Sequence, residues 1–371
     1  MMLLPFALIT LAAADATLGV AESLRGGVWR EALKDYASIA REERKKGAKG
    51  KYVVAFADDY GLGNRVNVVV SSLALAVASG RALAIVWPRV DCRHSHRENC
   101  DPTSVDDLFV EANVSWGLNK HIAPHVVKCR DDRDRKRKTL DRWAMADPND
   151  RKTADHYRKL DFDASWRGDD RVLCTYGYFY WGWALTCNSH LRGRWNLHPT
   201  KGGSPWVEFG ALQDWLLARS RAVAKRVHAI LGKETCDVGV HLRRADDRVR
   251  GANVFNPKWV AVLEAQLDAL PRDARVFIAA DHESAHTKVK LVDVVRSRGG
   301  ALLGTDKATA NRDSDGGIYD ALAENYALSS CGELLPRGTG ASTFHDMAVA
   351  RAAFEQPGAL RGPPAAGEPE Y

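Results

Sequence analysis

The chain has 371 residues, of which 45% are hydrophobic and 27% charged, and its formal net charge is +6. That length exceeds one ordinary hydrophobic core and predicts two domains of a soluble globular protein. The charge tolerates an anionic ligand but excludes the basic density of a dedicated nucleic-acid binder.

The first residues, "MMLLPFALITLAAADA", form an apolar run from Leu3 to Ala14 followed by small residues of the A-x-A kind. They predict a signal peptide over residues 1–16, although the usual basic residues before the run are missing. The run is too short to span a bilayer, so no membrane span is expected beyond it. A helical stem and linker is expected over 17–50. Then "KYVVAFA" (51–57) predicts a strand, "DDYGLGNR" (58–65) the turn after it, "VNVVVSSLALAVASG" (66–80) a helix stopped by Gly80, and "RALAIVWP" (81–88) the next strand. Together they make a βαβ unit.

The middle of the chain is less periodic. "DCRHSHRENC" (91–100) spaces Cys and His in no standard zinc pattern, so a disulfide is expected there and no metal. "CRDDRDRKRKTLDR" (129–142) interleaves acids with bases and reads as a solvated loop. "YGYFYWGWALTC" (176–187) concentrates aromatic rings, which either fill a core or stack on the apolar faces of sugars.

Regular alternation returns in the C-terminal half. "ALQDWLLARSRAVAKRVHAIL" (211–231) has helical periodicity with Gly232 as its stop, "DVGVHL" (237–242) is a strand, and "PKWVAVLEAQLDAL" (257–270) a helix. "RVFIAAD" (275–281) and "ALLGTD" (301–306) are strands around the helix "HTKVKLVDVVRSRG" (286–299). "GIYDALAENYALSSC" (317–331) and "STFHDMAVARAAF" (342–354) are helices. Such alternation predicts doubly wound parallel sheets: an N-terminal Rossmann-like domain over 51–205 and a C-terminal one over 206–356, with a disordered tail at 357–371. The expected fold class is α/β, with the two domains facing a central cleft.

Seven cysteines occur, at 92, 100, 129, 174, 187, 236 and 331. In an oxidising lumen some pair and the odd number leaves at least one over; Cys92–Cys100 and Cys174–Cys187 are candidate short loops. Asn113-Val114-Ser115 is a glycan acceptor sequence in that compartment. These features point to the secretory pathway, either the Golgi lumen or secretion.

The residues that carry chemistry lie where strands reach the carboxyl edge of a parallel sheet. His241, Arg243 and Arg244 end one strand, with Asp246 and Asp247 just beyond, and Asp281 ends the next. Ser342 and Thr343 open a helix after the Gly-rich "RGTGAS". Free N–H groups at a helix start cradle anions, and the arginine fork pairs phosphate oxygens bidentately. Singly, each has a bland reading: a surface ion cluster, a plain cap, a core histidine. Together they predict a nucleotide-diphosphate site. "GLGNR" (61–65) lacks the third glycine of a dinucleotide fingerprint, and no P-loop lysine follows it.

In order along the chain, "GLGNR", "VGVHLRRAD" and "ALAENYALSSC…GASTFHDMAVA" resemble the three motif regions of GDP-fucose-dependent inverting fucosyltransferases. The third is most similar to the plant xyloglucan-type branch, the second to the His-x-Arg-Arg motif of alpha-1,6 and protein O-fucosyltransferase-like enzymes. The resemblance runs from residue 51 to the end of the last helix, with the middle poorly matched. It implies a GT-B-like fold with an acceptor-side N-terminal domain and a GDP-sugar-binding C-terminal domain. By resemblance, Arg243 grips the donor diphosphate and His241 contacts the nucleotide. Ser342 and Thr343 bind phosphate, and Glu324 holds a base-reading position. Gly61, Gly63, Asn64 and Arg65 face the cleft on the acceptor side, and Arg244 and Asp281 join the donor site. No metal and no cofactor is implied; GDP-fucose is the donor substrate, a glycan or glycoprotein the acceptor.

One departure matters. The alpha-1,6 branch has an acid shortly after its arginine motif, whereas "VRGANVF" (249–255) has none. Asp246 is then the candidate catalytic base, with water-mediated transfer as the alternative. The expected activity is transfer of fucose to a glycan hydroxyl with inversion. The alternatives are the same fold with another nucleotide-sugar donor, or a catalytically silent carbohydrate- or nucleotide-binding protein.

Overall fold

Runs of Val, Ala and Phe only five or six residues long become the central strands of two parallel sheets, each flanked by helices that turn apolar stripes toward it. The computed structural model describes residues 28–57, 61–87, 104–111, 113–118, 120–124, 126, 143–144, 159, 171–175, 185, 188, 190, 205–242, 257–280, 285–304, 317–335 and 343–355. The signal segment, the Cys/His stretch 91–100, the charge run 129–142 and the tail lie outside the described residues, as does the aromatic run 176–187 apart from Leu185. Described residues up to Ala218 form one unit and those from Arg219 a second.

The first unit begins with α1 (Val28–Lys45). Ala32, Leu33, Tyr36 and Ala40 are buried, at the i, i+1, i+4, i+8 spacing of a stripe that needs a partner. Its partner is β2 (below): the Leu83 N–H donates to the Tyr36 hydroxyl at 3.0 Å, and Arg44 Nη2 donates to the Leu83 carbonyl at 2.6 Å. Burial pushes the Tyr36 hydroxyl well above the usual phenol range. The segment expected as a stem thus contributes a helix to the core of this unit.

The βαβ unit follows as β1 (Tyr52–Phe56), α2 (Leu62–Ser79) and β2 (Ala82–Val86), with Tyr52 opposite Ala82 and Phe56 opposite Val86. Helix α2 starts four residues before the apolar run, because extended Gly61 serves as its N-cap and "LGNR" winds as its first turn. Gly80, at φ 62°, closes it in the left-handed conformation that glycine adopts without strain. Although α2 is long and apolar enough to cross a membrane, nearly all of it from Leu62 to Ala78 is buried inside the unit as a core helix.

After α3 (Val105–Leu108), β3 (Phe109–Glu111), β4 (Trp143–Ala144) and β5 (Val172–Thr175), the first sheet has the order β2-β1-β5-β4, all parallel. The expected single helix over 211–231 is broken. It divides into α4 (Pro205–Leu216), β6 (Leu217–Arg219), which pairs with β3, and α5 (Arg221–Leu231). Ser220 makes the break: its hydroxyl accepts from the Val223 N–H at 3.4 Å and caps the new helix.

Beyond α5, the second unit runs through β7 (Val238–Leu242), α6 (Pro257–Asp268), β8 (Arg275–Ala280), α7 (Ala285–Ser297), β9 (Ala301–Leu303), α8 (Gly317–Ser329), β10 (Glu333–Leu334) and α9 (Thr343–Glu355). Its sheet order is β10-β7-β8-β9, again parallel throughout. Alternation along β8 divides the core. Val276, Ile278 and Ala280 join Leu263 and Leu267 of α6 and Leu291 of α7 on one face. Phe277 and Ala279 join Leu328 of α8 and Ala348 and Ala352 of α9 on the other. Helices cover both faces, which is the doubly wound arrangement.

A disulfide joins Cys236, just before β7, to Cys331, just after α8, across a sequence separation of 95. Sequence spacing pointed only to short loops; this bridge is set by the parallel pairing of β7 with β10, which brings the two segments together. Cys174 on β5 is disulfide-bonded as well. Gly239 lets β10 and α8 approach: a Cβ there would meet the Leu334 side chain at 2.7 Å and Cys331 Sγ at 3.1 Å.

Candidate functional site

In an open parallel sheet the ligand crevice lies outside the carboxyl ends, where the strand order reverses. For the second sheet that point is between β7 and β10, because chain order runs from β7 toward β9 on one side while β10 joins on the other. His241 stands at the carboxyl end of β7 and is half-buried. Helix α9, the connection after β10, starts beside it at Thr343. The His241 ring lies 4.8 Å from that of Phe344, tilted by 32°, and 6.2 Å from that of His345, at 24°. The sheet therefore brings His241 against Phe344 and His345 in the first turn of α9, from 103 residues apart.

Glu324 is 4% exposed. It shares the stripe of α8 that carries Ala327, Leu328 and Cys331 onto the sheet, at the i+3, i+4 and i+7 positions. Cys331 is fixed to the amino edge by its bridge to Cys236. Seven residues earlier, about 10 Å along the helix, Glu324 lies toward the carboxyl edge.

Two further buried polar groups attach to this turn, and nothing in the sequence singled them out. Asn325 Nδ2 donates to the Phe344 carbonyl at 2.7 Å, and Arg351 Nη1 donates to Asn325 Oδ1 at 2.9 Å. The Arg351 guanidinium sits 3.6 Å from the centroid of the Tyr326 ring. No spacing rule links positions 325 and 351. His345 was equally invisible: a histidine three residues into a helix reads as an ordinary core residue.

The first sheet has its own reversal point between β1 and β5. There the first turn of α2 carries Gly61, buried Gly63, half-buried Asn64 and Arg65. Arg65 is only 1% exposed, and its guanidinium stacks over the Trp87 indole at 5.1 Å. Behind them, Thr175 Oγ1 lies 3.2 Å from the Val54 carbonyl and 2.5 Å from Ser72 Oγ, tying β5, β1 and α2 through buried hydroxyls. Arg243, Arg244, Asp246, Asp281 and Ser342 lie outside the described residues. Thr343 is the first residue of α9, and of its side chain nothing is described.

No family model and no curated protein matches the chain. Among solved structures it is similar to a point mutant of Arabidopsis thaliana FUT1 in complex with GDP, with 19% identity and a TM-score of 0.59. The similarity covers 87% of this chain and 77% of that one. What the two share is the fold: the chain is an α/β protein with a GT-B-like fold, built on two parallel sheets flanked by helices.

Proposed function

We propose that the protein is a glycosyltransferase that moves fucose from GDP-fucose to a hydroxyl of a glycan or glycoprotein, with inversion at the anomeric carbon. One observation carries the reading. His241 meets the first turn of α9 at the reversal point of the second sheet, in a fold shared with a GDP-bound fucosyltransferase. In this reading the donor diphosphate is held by Arg243, with Arg244 and Asp281, on one side and on the other by the start of α9, with Ser342 and Thr343 as its phosphate-binding residues. The acceptor oxygen attacks the anomeric carbon opposite the diphosphate. The bond from that carbon to the β-phosphate oxygen breaks, and GDP departs with the electron pair.

Arg243 and the helix start stabilise the charge that builds on the departing oxygen, a preorganised effect of several kcal/mol. The acceptor proton passes to Asp246 or to water. Guanidinium groups perform the neutralisation a metal otherwise supplies, so no metal or cofactor enters. Disulfides at Cys236–Cys331 and Cys174 support an oxidising compartment, the Golgi lumen or beyond.

A thermal-shift series with GDP, UDP and CMP tests the donor. GDP raises Tm by several degrees at saturating concentration and the others do not. Stabilisation by UDP or CMP instead assigns the fold to another nucleotide sugar. The acid-free "VRGANVF" favours a second reading, a silent binder. It stands if GDP stabilises the protein yet no GDP is released from GDP-fucose in the presence of any candidate glycan.

A further inference from the structure

We infer that Asn325 and Arg351 are positioning residues: they hold the first turn of α9 against His241 and so set the affinity of that edge for a diphosphate. The inference rests on the donor-site reading of this edge. Its physical content is a chain of three contacts in which each group fixes the next.

Arg351 can only donate hydrogen bonds, whereas an asparagine amide offers one accepting end and one donating end. The contact of Arg351 Nη1 with Asn325 Oδ1, at 2.9 Å, therefore fixes which way round the amide lies. With its oxygen committed to the guanidinium, the Asn325 NH2 group faces the Phe344 carbonyl, 2.7 Å away. That carbonyl belongs to the second residue of α9 and already accepts from the Ala348 N–H in the helical i to i−4 pattern. Both of its lone pairs are then used, and the first turn is anchored to α8 as well as to its own helix. From the same residue the Phe344 ring lies against the His241 imidazole at 4.8 Å. A shift of this turn moves both the ring on which His241 rests and the N–H groups aimed at the donor.

Stability alone does not account for Arg351. It is 1% exposed, no carboxylate pairs with it among the described residues, and its Nη2 has no hydrogen-bond partner. An uncompensated buried guanidinium is costly, and an apolar side chain of similar volume is often neutral or stabilising in its place. Tyr326 offsets part of that cost, with Arg351 at 3.6 Å from its ring and Arg219 at 5.5 Å. What an apolar residue could not do is orient the amide.

Asn325→Asp separates the clamp from packing. The aspartate keeps the shape and gives Arg351 a charged acceptor, but it turns an oxygen where the NH2 had faced the Phe344 carbonyl. Two measurements are made on the full chain: the Kd of GDP by calorimetry, and amide hydrogen exchange at Met347 and Ala348 without nucleotide. The variant should melt within about 2 °C of the parent or above it, bind GDP about tenfold more weakly, and exchange faster at those amides. Arg351→Lys, which keeps a donor to Asn325, should stay near the parent, while Arg351→Met should follow Asn325→Asp. Unchanged exchange in both Asn325→Asp and Arg351→Met overturns the clamp, whatever GDP does. If the parent binds no GDP, the donor reading fails by itself, and the exchange result still decides whether the turn is clamped. Faster exchange with GDP affinity held within about twofold overturns the link to binding.

Discussion

The two sheets reach their reversal points with the same topology but build them from different chemistry. At the first, Arg65 is buried against the Trp87 ring, and behind it small neutral groups close the gap: Ser72 and Thr175 are both fully buried and share one hydroxyl chain with the Val54 carbonyl. At the second, the amino edge is stapled by Cys236–Cys331, while the carboxyl edge is held by a buried amide and guanidinium beside two histidines. Neutral hydroxyls satisfy one another at little cost in desolvation. A buried guanidinium with an unused N–H does not, and a fold that keeps one forgoes stability for fixed geometry. The first edge is thus arranged for cohesion, and the second for a fixed position of the first turn of α9.

Activity should break that comparison most sharply. With Arg243 in the donor-gripping role proposed for it, Arg243→Ala should lower kcat/KM about 10²–10³-fold with folding intact. Its counterpart on the first edge, Asn64→Ala, should raise the KM of the acceptor and leave GDP affinity unchanged. Equal effects of the two on GDP binding would erase the distinction between the edges.

Stability should divide the same way. Replacing Cys236 and Cys331 together with alanine opens a loop of 95 residues and should cost about 2–5 kcal/mol in chemical unfolding of the oxidised protein. Thr175→Val keeps the shape of the first closure and removes the hydroxyl that links Ser72 to the Val54 carbonyl; Ser72 still donates to the Val68 carbonyl, so the cost should be about 0.5–1.5 kcal/mol. If the valine variant proves the less stable of the two, cohesion in the second unit does not depend on its staple.

The sequence carried the strands well where their residues are β-branched and run uninterrupted, as at 52–56, 82–86, 238–242 and 275–280. It lost short strands of two to four residues, at 109–111, 143–144, 172–175, 217–219 and 333–334. Glu333–Leu334 has no period of its own and exists because β7 offers it a partner. The break at Ser220 was hidden by helical periodicity that continues on both sides of it. Site residues followed the same rule. His241 and the start of α9 were legible because strand ends and helix starts have local signatures. The Asn325–Arg351 contact was not, because it joins two helices 26 positions apart and depends on how they pack.

The smallest expected effect concerns the amino edge of the second sheet, where Asp237 meets Arg275. Arg275 Nε and its backbone N–H donate to one carboxylate oxygen, at 3.1 and 2.8 Å, and Nη2 donates to the other at 3.0 Å. Side-chain hydrogen bonds from Arg275, with its backbone N–H and charge, hold the Asp237 carboxyl below its ordinary value of 3.8. A depressed folded-state value means that the pair stabilises the protein fully above the unfolded value and ceases to do so as pH falls through the folded one. Asp237→Asn should therefore lower Tm by a constant amount at neutral pH, with the gap to the parent closing only below about pH 4. Both side chains are more than a third exposed, so solvent screens the pair and the gap should be only about 1–2 °C, shrinking further in high salt. A gap that instead widens toward acid would mean the carboxyl is more readily protonated in the folded chain than in the unfolded one. The paired geometry at the foot of β7 and β8 would then contribute nothing to holding that edge.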